Sequence, residues 1–416
     1  MVLGQGSMTD LRHWIGLLAI GIICLAAPAR ADDAFQGFIE SLWPEAEAAG
    51  VSRPTFDQAF DGLTPDLSLP DLALPGKPKS LKGQAEFTKP AKAYLDPGYL
   101  AKLATQGQAF MAQHAKALAR IEKMLGVDPR ILVAIWGRET AFGTYKLPFD
   151  AIRTLATQSY IGQRKARFRP ELIYALKMLE DGIARKELRS SWAGAVGQTQ
   201  FMPSDFYSHA IDGDGDGVKD IFHSEADALA SAAKQLQDKG WVPGGRWFHE
   251  IALPKSVDCS LEGPPDNRPI ADWVKLGAAR KDGQKFSKAE LASTAYLMLP
   301  EGTNGPAFLA PANFTVIRAY NTSDLYALFV GNLADRLSGG GDLITPWGAA
   351  AQPKTKTVED LQKQLKKLGY GIEKFDGKIG SNTRRQVGRF QKAAGLPVTC
   401  WPSDDVLSAA LAAPVQ

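Results

Sequence analysis

Apolar residues recur at helical spacing along most of this chain, and this periodicity restricts its fold more than any other feature. Leu100, Leu103 and Phe110 repeat on one face of a predicted helix. Alternating patterns typical of strands are scarce, and only residues 248–253 and 313–318 look briefly extended. We therefore predict a mainly α-helical protein with more than one core, because 416 residues exceed what a single core usually covers.

A break in composition divides the chain near its end. Ser338-Gly339-Gly340-Gly341 is followed, up to Thr357, by prolines, three consecutive alanines and alternating Lys and Thr, a composition typical of a flexible linker. Beyond it, Leu361 and Leu365 belong to a helical stripe, and glycines punctuate the turns of a small three-helix module. The predicted units are a large helical unit at 32–345 with its core at about 120–240, a linker at 346–357 and the module at 358–416.

The first residues have the layout of a secretory signal peptide. Arg12 and His13 precede the apolar run Trp14–Ala27, and the small-x-small triplet Ala29-Arg30-Ala31 follows it. The apolar run is too short to span a bilayer comfortably. We therefore predict export to the periplasm, cleavage after residue 31, and no transmembrane segment in the mature chain.

Composition excludes several functional classes. The 48 basic and 45 acidic side chains nearly cancel, leaving a net charge of +3, so nothing indicates a nucleic-acid-binding protein. His209, His223 and His249 lack a spacing suited to zinc. No Ser-His-Asp arrangement or phosphate-cradling glycine loop stands out. The chemistry must therefore depend on other residues.

Two cysteines, Cys259 and Cys400, remain in the predicted mature chain and lie in different predicted units. In an oxidising compartment they could pair, and the bridge would lock one unit against the other. Two free, buried thiols are the alternative. The sequence favours neither.

Glu139 is the candidate for acid catalysis. It belongs to a helix predicted to start at Pro129, and Ile131 and Ile135 precede it by eight and four residues on the same face. A carboxyl group on a buried face is costly to ionise, so we expect a raised pKa and a proton available for general acid catalysis. The alternative is a structural glutamate that pairs with Arg138 or caps a helix end.

A second segment, residues 190–204, combines glycines and alanines with two glutamines and a closing proline. Small residues let a ligand approach the backbone closely, and the amides of Gln198 and Gln200 could bind acetamido and hydroxyl groups of a sugar. Without further context, the same segment could be a tight helix-packing element.

An acidic loop begins at Asp212 and places aspartates at the first, third, fifth and ninth positions of an EF-hand-like pattern, with Gly217 at the sixth. The twelfth position, where a bidentate glutamate is expected, is His223. The pattern favours a structural calcium ion, and the alternative is a solvated acidic turn that caps the next helix. The predicted ligands are Asp212, Asp214, Asp216, Val218 through its carbonyl, and Asp220.

Taken together, these segments resemble the lytic murein transglycosylases, specifically the membrane-bound lytic transglycosylase B family. The resemblance implies a lysozyme-like, goose-type catalytic domain, and the tail resembles the common three-helix peptidoglycan-binding module. The segments that carry it are Trp136–Gly143, Gly194–Ser204, the loop from Asp212 and Tyr320–Ala327 in the large unit, and Leu361–Gly369, Phe375–Gly380 and Gly388–Gln391 in the tail.

The resemblance also implies roles for single residues. Glu139 matches the one catalytic acid and base, Ser191 matches a serine that hydrogen-bonds it, and Gln200 matches a substrate-contacting glutamine. The residues implied at the substrate are Ser191, Gln198, Gln200, Phe201, Tyr320 and Asn321.

The implied reaction cleaves the β-1,4 bond between N-acetylmuramic acid and N-acetylglucosamine and closes a 1,6-anhydro ring, without a cofactor. A hydrolytic muramidase and a non-catalytic wall-binding scaffold are the alternatives. The expected partners are glycan strands, with proteins of wall synthesis or division as further candidates, and we expect a monomer. The module would act by tethering the enzyme to the wall through the linker.

Overall fold

The structure, a computed structural model, describes residues 27–74, 89–348 and 350–414. The predicted signal features from Arg12 to Leu25 lie outside the described residues, and helix Ala27–Glu40 runs through the predicted cleavage position. In the described part of the chain, no helix is both long and apolar enough to cross a membrane. Export and cleavage therefore stay predictions.

Helices make up most of the large unit, which confirms the predicted fold class. Their starts follow the sequence: Asp128 and Ser224 accept hydrogen bonds from first-turn backbone N–H groups, and Gly126 ends a helix in the left-handed conformation. The helices are Ala27–Glu40, Trp43–Ala48, Arg53–Phe60, Ala91–Tyr94, Pro97–Gln113, Ala115–Leu125, Pro129–Thr140, Ala151–Ile161, Lys165–Glu180, Pro203–His209, Glu225–Asp238, Ile270–Lys275, Lys288–Ala292, Ala312–Asn321 and Asp324–Leu337.

Two of the apolar cores in this unit lie side by side, and a third forms around the sheet. One surrounds helix Pro129–Thr140 and includes Trp241 and Trp247. The other joins the first three helices to helices Ala151–Ile161 and Lys165–Glu180. Tyr320 packs against both cores, so it lies where they meet.

A five-stranded antiparallel sheet was largely missed by the sequence analysis. The predicted extended segment 248–253 contains a strand, but 313–318 is wrong because those residues lie in helix Ala312–Asn321. Thr294–Met298 and Ala307–Pro311 are short runs with nearly all residues buried, and such runs lack the alternation that marks a strand. Across the sheet the strands are Arg268–Pro269, Thr294–Met298, Ala307–Pro311, His249–Ala252 and Ala279–Arg280. Three further strands lie outside it: Phe149–Asp150, Arg189–Ser190 and Pro300–Thr303.

The C-terminal module has the predicted three helices. They are Thr355–Lys367, Ser381–Ala393 and Asp404–Ala412. Leu361, Leu365, Val387 and Phe390 form its small core, as their helical spacing indicates. The first helix begins at Thr355, inside the segment that the sequence analysis assigned to the linker.

Hydrogen bonds to the large unit occur just before residues 346–357, the predicted linker, and at one position within it. Just before it, the backbone N–H groups of Ile344 and Thr345 donate to the Glu250 carboxylate at 2.8 and 2.6 Å. Gly348 N–H donates to Glu301 Oε2 at 2.6 Å. Two buried carboxylates therefore contact the backbone at the start of this segment, and the flexibility of residues 346–357 stays a prediction.

The module is docked against the large unit by a disulfide and by a buried ion cluster. Cys259 and Cys400 are bonded, which decides the open alternative in favour of a bridge. Arg384 Nη2 lies 2.5 Å from Glu262 Oε1 and 3.4 Å from Asp324 Oδ2, and the side chains of Arg384 and Glu262 are 3% and 0% exposed. The two units therefore share one interface with both covalent and ionic contacts.

Candidate active site

Glu139 lies in the last turn of helix Pro129–Thr140. Ile131 and Ile135 are buried, as their spacing predicted, while Glu139 itself is half-buried. Directly after the helix, Ala141 and Phe142 adopt positive φ angles of 49° and 54°, which turns the chain sharply. The carboxyl group is thus positioned by a buried helix and can still be reached by a substrate.

Tyr326 is the contact of Glu139 that the sequence analysis did not assign. Its hydroxyl donates to Glu139 Oε1 at 2.7 Å, and its side chain is fully buried. Burial, and next the negative charge of Glu139, hold the pKa of Tyr326 well above its usual range. The hydroxyl therefore stays protonated and donates to the carboxylate. In the sequence, the only sign that Tyr326 is buried is the apolar run that follows it from Ala327.

Tyr320 connects this pair to the glycine- and alanine-rich segment. Its hydroxyl donates to the Thr199 carbonyl at 2.5 Å, and its ring stacks on Tyr326 with centroids 6.3 Å apart and an interplanar angle of 7°. Asn321 follows as the last residue of its helix and is half-buried. The structure therefore brings Glu139, Tyr320 and residues 190–204 together, as the resemblance implied.

Within that segment, the predicted substrate residues take different positions. Gln198 accepts from Trp136 Nε1 at 2.7 Å and donates to the Phe222 carbonyl at 3.2 Å, so its amide ties the segment to the Glu139 helix. Ser191 Oγ accepts backbone N–H bonds at 3.3 and 3.2 Å from Ala193 and Ala195. Its predicted bond to Glu139 stays a prediction.

Phe201 lies in the core and not at the substrate surface. It was expected to contact substrate, but it is 1% exposed and belongs to the second core. A substrate would have to displace neighbouring core residues to reach it. Phe201 therefore anchors the segment, while the adjacent Gln200 is half-buried and has a positive φ of 54°.

Strained backbone conformations cluster around this site. Six of the described non-glycine residues have positive φ angles, and two of them, Asp71 and Cys400, lie away from this site. The other four flank Glu139, the amide-rich segment and Asn321; they are Ala141, Phe142, Gln200 and Thr322. Such conformations cost about 1 to 3 kcal/mol each, and they persist where the surrounding structure enforces them, often at functional sites. Their clustering supports a binding or catalytic role for the region.

The acidic loop brings only part of its predicted ligand set together. Asp212 and Asp214 converge with Asp227, whose ligand atoms lie within 4.8 Å of theirs. Asp227 is 1% exposed and had not been predicted, because it follows four residues after the expected twelfth position. The geometry therefore assigns a third carboxylate to the candidate cation site.

The other predicted calcium ligands form hydrogen bonds within the loop and do not join this group of three carboxylates. Asp216 accepts a backbone bond from Val218 at 2.8 Å. Asp220 Oδ2 lies 2.9 Å from His223 Nδ1, and the hydrogen bond to this carboxylate raises the pKa of His223. Because His223 occupies the expected twelfth position and pairs with Asp220, the loop departs from the EF-hand pattern at that end.

Comparison with known proteins matches two families to this chain. Residues 34–335 match the family described as transglycosylase SLT domain, and residues 354–409 match the putative peptidoglycan binding domain. Membrane-bound lytic murein transglycosylase B of Escherichia coli (strain K12) is 30% identical over 234 residues, which is 56% of this chain and 63% of that protein. The chain thus matches less than two thirds of that relative.

Solved structures match over a larger share. SltB3 from Pseudomonas aeruginosa in complex with NAG-anhNAM-pentapeptide is 36% identical and covers 91% of this chain and 99% of its own, with a TM-score of 0.81. Escherichia coli Slt35 in complex with calcium is 25% identical and covers 73% of this chain and 92% of its own, with a TM-score of 0.59. On the matched residues 34–335, this chain belongs to the transglycosylase SLT domain family, and a peptidoglycan-binding domain follows at its C-terminal end.

Proposed function

We propose that this chain is an exported peptidoglycan lytic transglycosylase in which Glu139 acts first as acid and then as base. The observation that carries the proposal is the half-buried Glu139 carboxyl, held by the Tyr326 hydroxyl beside the amide-rich segment. The SltB3 complex with NAG-anhNAM-pentapeptide supports the substrate class and the anhydro product.

The mechanism needs one carboxyl group. Protonated Glu139 donates to the glycosidic oxygen, and the 2-acetamido oxygen of the substrate stabilises the sugar cation in place of the second carboxylate of most glycosidases. Ionised Glu139 then accepts the proton of the sugar 6-hydroxyl, which attacks the same sugar. An oriented internal hydroxyl has an effective concentration on the order of 10⁵ M or more, so it outcompetes water.

Mass spectrometry of digested wall sacculi tests the reaction type. Transglycosylation adds no water at each cleaved bond, whereas a hydrolytic muramidase adds one. We expect fragments with anhydro ends. Fully hydrated fragments would replace the proposal with the muramidase alternative, and binding to sacculi without release of fragments would favour the non-catalytic scaffold.

Replacing Tyr326 by Phe should lower turnover about tenfold to a hundredfold, since a hydrogen bond to a charged group contributes about 1.5 to 3 kcal/mol. Phenylalanine keeps the ring that stacks on Tyr320, so the free energy of unfolding should change much less than turnover. Steady-state kinetics on purified glycan strands measure the effect. Unchanged turnover would show that this hydrogen bond has no part in the reaction.

We also propose that Asp212, Asp214 and Asp227 hold a structural calcium ion. Carboxylate oxygens are the ligands that calcium prefers, and the three aspartates offer them within 4.8 Å. The Slt35 complex with calcium supports the choice of metal. The ion would add positive charge to an acidic turn and stiffen it, and the chemistry at Glu139 needs no contribution from it.

Calcium should therefore raise the melting temperature of the purified protein, and a chelator should reverse the rise. Binding of an ion to the folded state alone at 100 times its Kd stabilises it by about 2.7 kcal/mol. Differential scanning fluorimetry measures the shift. Asp227→Asn should abolish it, whereas Asp216→Asn should retain it, and an equal shift in both variants would contradict the assigned ligands.

For localisation, we propose export to the periplasm by the predicted signal peptide at 1–31. The signal-like residues from Arg12 to Ala31 and the membrane-bound relative in Escherichia coli support this. Cell fractionation with N-terminal sequencing of the mature chain tests it, and an uncleaved cytoplasmic chain would contradict it. We expect the mature protein to act on glycan strands as a monomer.

A further inference from the structure

A cavity of about 460 Å³ lies between the C-terminal module and the large unit. Residues 322–325 line one side, Pro300 and Glu301 line another, and the module contributes residues between 372 and 384 together with Trp401. Glu139 and Asn321 do not line the cavity, although Asn321 directly precedes the lining residue Thr322. The cavity is therefore a neighbour of the candidate active site and distinct from it.

The shape of this cavity is fixed by ionic contacts between the two units. Asp324 pairs with Arg318 at 2.6 Å and with Arg384 of the module at 3.4 Å. Arg384 is anchored in turn by the fully buried Glu262. Because the walls are joined in this way, the cavity exists as long as the module stays docked.

Its chemistry indicates a ligand with charges of both signs. Leu325, Ile372 and Trp401 supply apolar surface. Around it stand five cationic and four anionic side chains, too evenly balanced for a phosphate or another polyanion. The cationic side chains are Lys89, Arg318, Lys374, Lys378 and Arg384, and the anionic ones are Glu301, Asp324, Glu373 and Asp376.

A sugar fits this lining less well than a peptide does. Sugar rings usually stack on exposed aromatic faces, and Trp401, the aromatic residue that lines the cavity, is only 8% exposed. Lys374 and Glu373, in contrast, are both exposed and neighbouring, so they present opposite charges at the rim. Carboxylates and an ammonium group on a short peptide would complement this pair.

We propose that the cavity binds the stem peptide carried by the muramic acid that is cleaved at Glu139. This inference rests on the proposed function, because a stem peptide occurs on that substrate. It makes the docked module a part of the substrate site: the glycan lies along the Glu139 cleft, and its peptide lies between the two units.

The reach of a stem peptide agrees with this arrangement. Helix Asp324–Leu337 separates the two places: Tyr326 on its first turn contacts Glu139, and Asp324 and Leu325 on the same turn line the cavity. An α-helix with its side chains is about 10 to 12 Å wide. Four or five extended residues span at most about 13 to 18 Å, which is enough to pass from the cleft around this helix.

The test compares two forms of glycan strand, one with its stem peptides and one from which an amidase has removed them. Lys374→Glu should lower kcat/KM about fivefold on peptide-bearing strands, the size expected for an exposed charge contact, and should leave kcat/KM on naked strands unchanged. Lys367→Glu is the matched control, because Lys367 is an exposed lysine of the same module that does not line the cavity.

Calorimetric titration with a synthetic stem tetrapeptide provides a readout that is independent of turnover. The peptide should bind the full chain carrying Glu139→Gln, and adding Lys374→Glu should weaken that binding while Lys367→Glu should not. If Lys374→Glu lowered kcat/KM equally on both kinds of strand, or left the affinity for the peptide unchanged, the peptide site would be overturned. Failure of the wild-type enzyme to cleave either strand would overturn the proposed function, and the titration would then decide the peptide site by itself.

Discussion

Glu139→Gln should lower the release of soluble fragments from wall sacculi by about 10³-fold, within the range that general acid and base catalysis contributes. Glutamine has nearly the same shape as glutamate but can neither donate the proton to the leaving oxygen nor take one back. Its amide oxygen can still accept the Tyr326 hydroxyl that Glu139 Oε1 accepts at 2.7 Å. The variant should therefore fold and bind sacculi as the wild type does.

Three measurements separate the loss of chemistry from the loss of structure. Fragment release reports activity, co-sedimentation with sacculi reports binding, and thermal unfolding reports the fold. Glu122→Gln is the matched control, because Glu122 is exposed on a helix of the same unit and should be neutral in all three. Lysis by Glu139→Gln at the wild-type rate would remove Glu139 as the acid.

The second large effect is expected for stability. Replacing Cys259 and Cys400 by Ser should lower the free energy of unfolding by about 5 kcal/mol, the chain-entropy value for a closed loop of this length. The bond joins residues 141 apart in sequence, so it restricts a long stretch of the unfolded chain. Denaturant titration of oxidised wild type and of the double variant measures the difference.

Reduced wild type is the natural control for that titration, because it lacks the bond without any substitution. Its unfolding midpoint should coincide with that of the double variant. Identical midpoints for all three proteins would mean that the buried contacts of Arg384 with Glu262 hold the module without help from the disulfide.

The sequence was most informative where local spacing decides the outcome. The eight- and four-residue spacing of Ile131 and Ile135 from Glu139 predicted that both isoleucines are buried, and both are. Helical stripes also predicted the three-helix module. These features depend on residues within one or two turns of each other, so periodicity is sufficient to find them.

Features that depend on distant residues could not be found in this way. Tyr326 meets Glu139 across 187 positions, and the pairing of Cys259 with Cys400 depends on how two units dock. Asp227 falls outside the EF-hand spacing and reaches the loop only because helix Glu225–Asp238 starts beside it. Phe201 was misassigned because a motif does not distinguish a residue that anchors a loop from one that faces the ligand.

The docked module has a consequence for how such a protein would work along a polymer. On a flexible tether, a binding module leaves the cutting site free to sample many bonds within the reach of the tether. Here Glu250 and Glu301 hold the connecting backbone, and the Cys259–Cys400 bond closes the interface. The C-terminal module and Glu139 then stay at a fixed distance from each other. The protein would therefore cleave each strand at the same distance from the point where the module binds it.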